Sequence, residues 1–132
     1  MTIFVDTSAI YAFMDTSDTC HAKSKKQFES LFSSGTSLLT TNYVVLESSA
    51  LVQKRLGGKA LRALFEDMIP MFEVRWVNME THSAAVASLV AASKQRPSLV
   101  DMTSFEMMRR MGIRDVFAFD RHFKDQGFSC MP

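Results

Sequence analysis

The first apolar run of the chain, Ile3 to Val5, stops abruptly at Asp6, Thr7 and Ser8, as a strand does where it hands over to a helix. A short helix is predicted from about Thr7 to Met14, broken by the polar stretch Asp15 to Asp18. Between Thr19 and Ser33 the apolar positions Phe28, Leu31 and Phe32 recur at helical spacing, and Gly35 ends the segment. Ser37 to Thr40 reads as a second strand. Asn42 is placed to cap a helix that runs to about Leu56, where Gly57 and Gly58 interrupt it. Another helix follows from Lys59 to Ile69, closed by Pro70.

Glu73 to Val77 alternates polar and apolar residues, which predicts a third strand with Val74 and Trp76 facing inward. Thr81 to Ser93 reads as a helix with Ala85, Val86, Leu89 and Val90 inward. Pro97 and Ser98 open a helix to about Met111, and a strand follows at Val116 to Phe119. A turn and a short strand near Phe128 complete the pattern, and no repeat or linker interrupts it. Strands alternating with helices imply an α/β fold, a parallel sheet covered on both faces, here expected as one domain over residues 1–132.

In such sheets ligands gather beyond the carboxyl ends of the strands. Asp6 and Asp120 each follow a predicted strand. Helices run back antiparallel to the strands and so begin at that same edge. Asp101 lies in the first turn of one such helix, and Glu47 lies early in another. Four carboxylates far apart in sequence are thereby expected on one rim. Each also has a structural reading. Asp6 suits a helix cap, Asp101 a capping box begun by Ser98, and Asp120 the cap of the turn from Arg121 to Lys124. Glu47 shares a helix face with Val44, Ala50 and Leu51, where burial of a carboxylate is costly without compensation.

Two carboxylates about 5 Å apart repel by roughly 3 kcal/mol at an effective dielectric near 20. A cluster of four therefore calls for a cation. Oxygen ligands without cysteine or histidine suit Mg²⁺ or Mn²⁺ rather than zinc. Such a centre is apparatus for phosphodiester cleavage, in which the metal activates water and steadies the charge on the leaving oxygen.

Composition narrows the setting more than the function. The 132 residues are 47% hydrophobic and 22% charged, an ordinary globular balance. No apolar run approaches the roughly 20 residues that cross a bilayer. The start of the chain has no basic flank and carries Asp6 in its apolar stretch, unlike a signal peptide. Cys20 and Cys130 have no metal-ligand spacing, as expected of a reduced, cytoplasmic protein. A net charge of +1 gives no argument for nucleic acid. Basic groups at Lys23, Lys25 and Lys26, at Lys54, Arg55, Lys59 and Arg62, and at Arg109, Arg110 and Arg114 could contact phosphates, but the solvated face of a helix is the favoured reading.

The segments VDTSA (5–9), NYVVLE (42–47), SLVDMTS (98–104) and FDRHF (119–123) resemble the four acidic motifs of PIN domains, in the right order and spacing. The resemblance spans nearly the whole chain. It implies a three-layer α/β/α sandwich around a central, mostly parallel sheet. It also implies a metal-dependent endoribonuclease in which Asp6, Glu47, Asp101 and Asp120 bind Mg²⁺ or Mn²⁺. The implied reaction is in-line hydrolysis of RNA by metal-activated water, leaving a 5′-phosphate and a 3′-hydroxyl. Many short members of the family are toxins of VapBC-type toxin–antitoxin pairs. That implies a small antitoxin partner placing a segment, with an Arg standing in for the metal's charge, in the acidic rim, and a homodimer. Many relatives carry Thr or Ser two residues before the last acid, where this chain has Ala118, so tuned rather than lost activity is expected.

Rival readings fare worse. A haloacid-dehalogenase-type phosphotransferase needs a second Asp where this chain has Ser8, and a receiver domain needs its motifs in another order. A non-catalytic PIN-like module that only binds RNA or protein remains the alternative. Arg109, Arg110, Arg114 and Arg121 lie near the acidic motifs in sequence and are candidate phosphate contacts. Thr7, Ser8, Thr103 and Ser104 are candidate supporting hydroxyls or caps, and His122 reads as a surface or packing residue beside Asp120. Some of the residues in the stretch Phe65, Met68, Met71 and Phe72 exceed what one small core needs, which suits a dimer interface or an antitoxin groove.

Overall fold

A computed structural model describes residues 1–92 and 97–132. Its strands are β1 (Thr2–Val5), β2 (Ser37–Thr41), β3 (Glu73–Arg75), β4 (Asp115–Phe117) and β5 (Ser129–Met131). They form one sheet in the order β3-β2-β1-β4-β5, and every pair is parallel. Helices α1 (Thr7–Met14) and α2 (His21–Ser33) connect β1 to β2. Helices α3 (Asn42–Leu56) and α4 (Gly58–Ala63), with a π-helical turn at Leu64–Met68 and a 3₁₀ turn at Ile69–Met71, connect β2 to β3. Helices α5 (Met79–Ala91) and α6 (Leu99–Met111) lead to β4, and the short α7 (His122–Asp125) leads to β5.

Chain direction across the sheet reverses after β3, so right-handed crossovers put the early helices on one face and the later ones on the other. The expected α/β sandwich is present. Aromatic pairs fill its core: Phe28 of α2 lies 4.5 Å from Phe117 of β4, tilted at 51°, while Phe105 of α6 meets Phe123 of α7 edge-on at 4.9 Å. Ala118 is buried too, and its amide continues the ladder by donating to the Met131 carbonyl at 3.2 Å.

Several expectations need correction. Thr41, not Asn42, caps α3, its hydroxyl accepting from the Val44 amide at 3.2 Å. Asn42 instead ties the chain after β3, its Oδ1 accepting from the Val77 amide at 2.8 Å. The helix expected from Lys59 to Ile69 starts at Gly58 and loosens into the π turn after Ala63. Trp76 lies past the end of β3 and is 78% exposed, while Val74 is half-buried. Val90 is 73% exposed on α5, and Ser93, expected as that helix's last residue, lies outside the described residues. Met68 and Phe72 belong to the core, whereas Phe65 and Met71 are exposed. Gly112, with φ +68, ends α6 in the left-handed conformation that glycine adopts without strain. Among the described residues no helix is long and apolar enough to cross a membrane.

Candidate active site

The parallel sheet delivers its strand ends and helix starts to one edge, and the four acids meet there. Asp6, Glu47, Asp101 and Asp120 line one cavity of about 400 Å³, with Ser8, Leu51 and His122 among its walls. The residues that cap the local elements are the ones that aim the carboxylates. Asp6 leaves β1 with its amide donating to the Phe117 carbonyl at 3.0 Å, which pins it to the end of β4. Its Oδ2 then accepts from the Ser8 amide at 3.1 Å and the Ser8 hydroxyl at 2.7 Å, starting α1. That hydroxyl in turn accepts from the Phe119 amide at 2.9 Å. Ser8 therefore fixes the first acid and the approach to the last.

Asp101 closes the capping box anticipated with Ser98. Its amide donates to the Ser98 hydroxyl at 3.1 Å, and its Oδ2 accepts from the Ser98 amide at 3.4 Å. Asp120 accepts from the His122 amide at 2.9 Å through Oδ1 and so holds the turn into α7. Each of the three aspartates uses one carboxylate oxygen in a local cap. The cap and the cavity are compatible because a carboxylate has a second oxygen to offer. At Asp6 that second oxygen, Oδ1, is buried and has no hydrogen-bond partner among the described residues. Ser104 Oγ, three residues beyond Asp101 on α6, is buried and unpartnered likewise.

Burial and mutual repulsion set the electrostatics. Asp6 is only 2% exposed, and burial pushes its carboxyl up to about 7, with the Asp101 and Glu47 charges adding to the rise against the opposing Ser8 hydrogen bond. Asp101, 7% exposed, is pushed up to about 6, chiefly by burial and next by the Asp120 charge. Glu47 and Asp120 are half-buried. Of the apolar neighbours that share a face with Glu47, Val44 belongs to the core, while Leu51 and Ala50 border solvent-reached cavities.

Asp101, Asp120 and His122 form the tightest group, each offering a ligand atom within 4.8 Å of the others. Asp6 and Glu47 complete the wall around it. His122 stands closer to the acids than a surface role implies, with Nε2 3.9 Å from Asp120 Oδ1. The signal for it was its place two residues after Asp120. Of the other hydroxyls, Thr103 bonds back to the Leu99 carbonyl at 2.8 Å and Thr7 accepts from Ser48 at 3.4 Å. Neither caps a helix.

Three of the arginines leave the site. Arg109 and Arg110 lie eight and nine residues past Asp101 on α6, so about 12 Å or more along its axis. Arg109 covers the Phe128 ring, and Arg110 pairs with Glu106 and Glu80. Arg114 precedes β4 and is at the opposite edge of the sheet. Arg121 alone stays beside the acids, lining with Lys124 a neighbouring cavity that shares Asp120.

The chain has clear relatives among known proteins. The chain is 32% identical over 127 residues to the 23S rRNA-specific endonuclease VapC20 of Mycobacterium tuberculosis, covering 96% of this chain and 95% of the relative. The crystal structure of VapC20, a sarcin–ricin loop cleaving toxin, superposes with a TM-score of 0.82, covering 96% of this chain and 95% of that one. FitAcB from Neisseria gonorrhoeae shares the fold at a TM-score of 0.73, with 14% identity over 100% of this chain and 97% of its own. FitAB bound to a DNA fragment does so at 0.71, with 14% identity over 99% and 94%. The PIN domain model matches residues 3–129, and with the VapC20 relationship this makes the chain a member of the PIN domain family.

Proposed function

We propose that this chain is a divalent-metal-dependent endoribonuclease and the toxin of a toxin–antitoxin pair. In this reading Asp6, Glu47, Asp101 and Asp120 hold Mg²⁺ or Mn²⁺. The observation that carries it is the meeting of these four acids around one cavity, with a buried Asp6 oxygen that has no partner among the described residues. A buried acceptor without a partner is costly, and two carboxyls raised by burial and repulsion would be relieved by a hard cation. The donor set is oxygen-rich and free of thiolate, which suits those ions.

When bound, the ion supplies the positive charge that makes water a better nucleophile and stabilises the phosphate in transition. The protein's part is positional. Ser8 and the two capping turns hold the aspartates on rigid element ends, so their geometry need not reorganise as charge develops. A non-catalytic module is the weaker reading, because all four acids persist around the cavity.

VapC20 is described as specific for 23S rRNA, which makes that RNA the first substrate to offer. Cleavage of 23S rRNA and of a mixed RNA pool is measured in Mn²⁺ or Mg²⁺, beside an EDTA control and Asp101→Asn. Metal-dependent cutting that disappears in the variant is the expected outcome. Intact RNA from a wild-type protein that also fails to bind Mn²⁺ would refute the reading. A further arm adds the co-expressed product of the adjacent reading frame. Recovery of an inactive complex supports the toxin role, and undiminished cleavage removes it.

A further inference from the structure

A second cavity, about 440 Å³ in volume, opens between α3, α5 and α6 and has no part in the chemistry above. Tyr43, Leu46, Glu47, His82, Leu99 and Val100 line it. Glu47 borders this cavity and the acid cleft alike, so the two adjoin. We propose that this cavity is a nucleobase subsite that receives a base next to the scissile phosphate and sets the sequence preference of the cut. The inference rests on the nuclease reading and names a specificity element within it.

Three features select a base over other occupants. Leu46, Leu99 and Val100 offer apolar walls, and the volume is within the ~300–1,000 Å³ typical of small-molecule pockets. Among the described residues Glu47 is the one acid that lines the cavity and no Lys or Arg does, which favours a neutral heteroaromatic ring over a phosphate. The polar atoms sit together: the Tyr43 hydroxyl is hydrogen-bonded to His82 Nδ1, with the two rings 5.9 Å apart and edge-on at 75°. Single-stranded RNA is recognised by this combination, a π surface for the face of a splayed-out base and a few donors and acceptors for its edge.

The opposite flank of the acid cleft differs in kind. There the cavity that shares Asp120 carries Arg121 and Lys124, suited to the sugar–phosphate backbone. The strand order places β2, which leads into α3 and Glu47, on one side of β1, and β4, which leads to Asp120, on the other. A strand of RNA crossing the acids would thus have an apolar, base-sized cavity on one side and two cations on the other. An apolar side chain of a protein partner is the competing occupant. It lacks the tie to the reacting phosphate that the shared Glu47 gives a base.

The test is high-throughput mapping of cut sites in a mixed-sequence single-stranded RNA pool with Mn²⁺, for wild type, His82→Ala, Tyr43→Phe and Ala50→Phe. Ala50 is exposed at the rim of the cavity, so a phenylalanine there fills the space without disturbing the core. Wild type is expected to show a base preference concentrated at one nucleotide flanking the cut. In His82→Ala and Ala50→Phe that preference flattens and kcat/KM drops roughly tenfold or more, the scale of one lost base contact. Tyr43→Phe, which keeps the ring, changes the preference with a smaller loss. Melting temperature and Mn²⁺ binding stay at wild-type values.

An unchanged cut-site profile and rate in both His82→Ala and Ala50→Phe overturn the subsite. So does a uniform loss at every sequence with the profile intact, which would mean the cavity merely supports Glu47. Weakened capture of a protein partner with normal cleavage would assign the cavity to that partner instead. A wild type that cuts no RNA removes the nuclease reading first, and the subsite with it.

Discussion

Asp6 sits where two demands on one carboxylate meet. Oδ2 starts α1 through Ser8, while Oδ1 is buried without a partner among the described residues, and burial lifts the carboxyl from 3.8 to about 7. A carboxyl raised on folding keeps its proton in the native state over a range where the unfolded chain has released it. Stability is then full below the unfolded value and is lost as pH rises through the folded one. Asp101, raised to about 6, acts in the same direction. Metal-free protein should therefore melt at a lower temperature near pH 8 than near pH 5, and saturating Mn²⁺ should flatten that fall. Asp6→Asn should remove most of the slope, raise the metal-free melting temperature near pH 8 and weaken Mn²⁺ binding. Calorimetry with EDTA and with Mn²⁺ reads all three, and a metal-free melting temperature that does not fall across this range would count against a buried Asp6 carboxyl raised on folding.

At the scale of the element, α6 separates the structural from the chemical role of its first turn. Ser98 and Asp101 form a reciprocal cap, yet only Asp101 carries a carboxylate to the cavity edge. Ser98→Ala should cost about 1 kcal/mol of stability, the usual value of a lost N-cap, with cleavage largely kept. Asp101→Asn retains an acceptor for the Ser98 amide and removes a buried charge, so its metal-free melting temperature should not fall below wild type while cleavage drops about a hundredfold or more. Equal losses of stability and activity in both variants would mean that Asp101 works only as a cap.

The same scale explains what could be read from sequence. The acids were legible because each stands at a strand end or a helix start, and such positions survive errors of a residue or two in element bounds. Glu47 was legible as an anomaly on an apolar helix face, though periodicity alone could not tell a core from a cavity wall. Trp76 was misread because a three-residue strand at the sheet edge offers too little alternation to fix its faces. Thr41 and Asn42 are adjacent and both suited to capping, and only the register of β2 decides between them. The arginines mislead for a reason of length: Arg109 and Arg110 neighbour the motifs in sequence, but α6 carries them to the far edge.

At the scale of the whole molecule, the acid rim and the exposed apolar surface pose separate questions. Phe65, Val74 and Trp76 line a cavity of about 470 Å³ near β3, an edge strand. An edge strand beside exposed aromatic residues is a surface that monomeric proteins seldom leave uncovered. We propose that a second copy of the chain covers it, in keeping with the homodimer implied by the family resemblance. Trp76 is the residue to change, being 78% exposed with no place in the core and no place in the wall of the acid cleft. Light scattering across roughly two decades of concentration should give a dimer mass for wild type and a monomer mass for Trp76→Glu, because a charge buried at such a contact is costly. A monomeric wild type at the top of that range would assign the face to another partner. A dimer that survives Trp76→Glu would place the self-association elsewhere on the molecule.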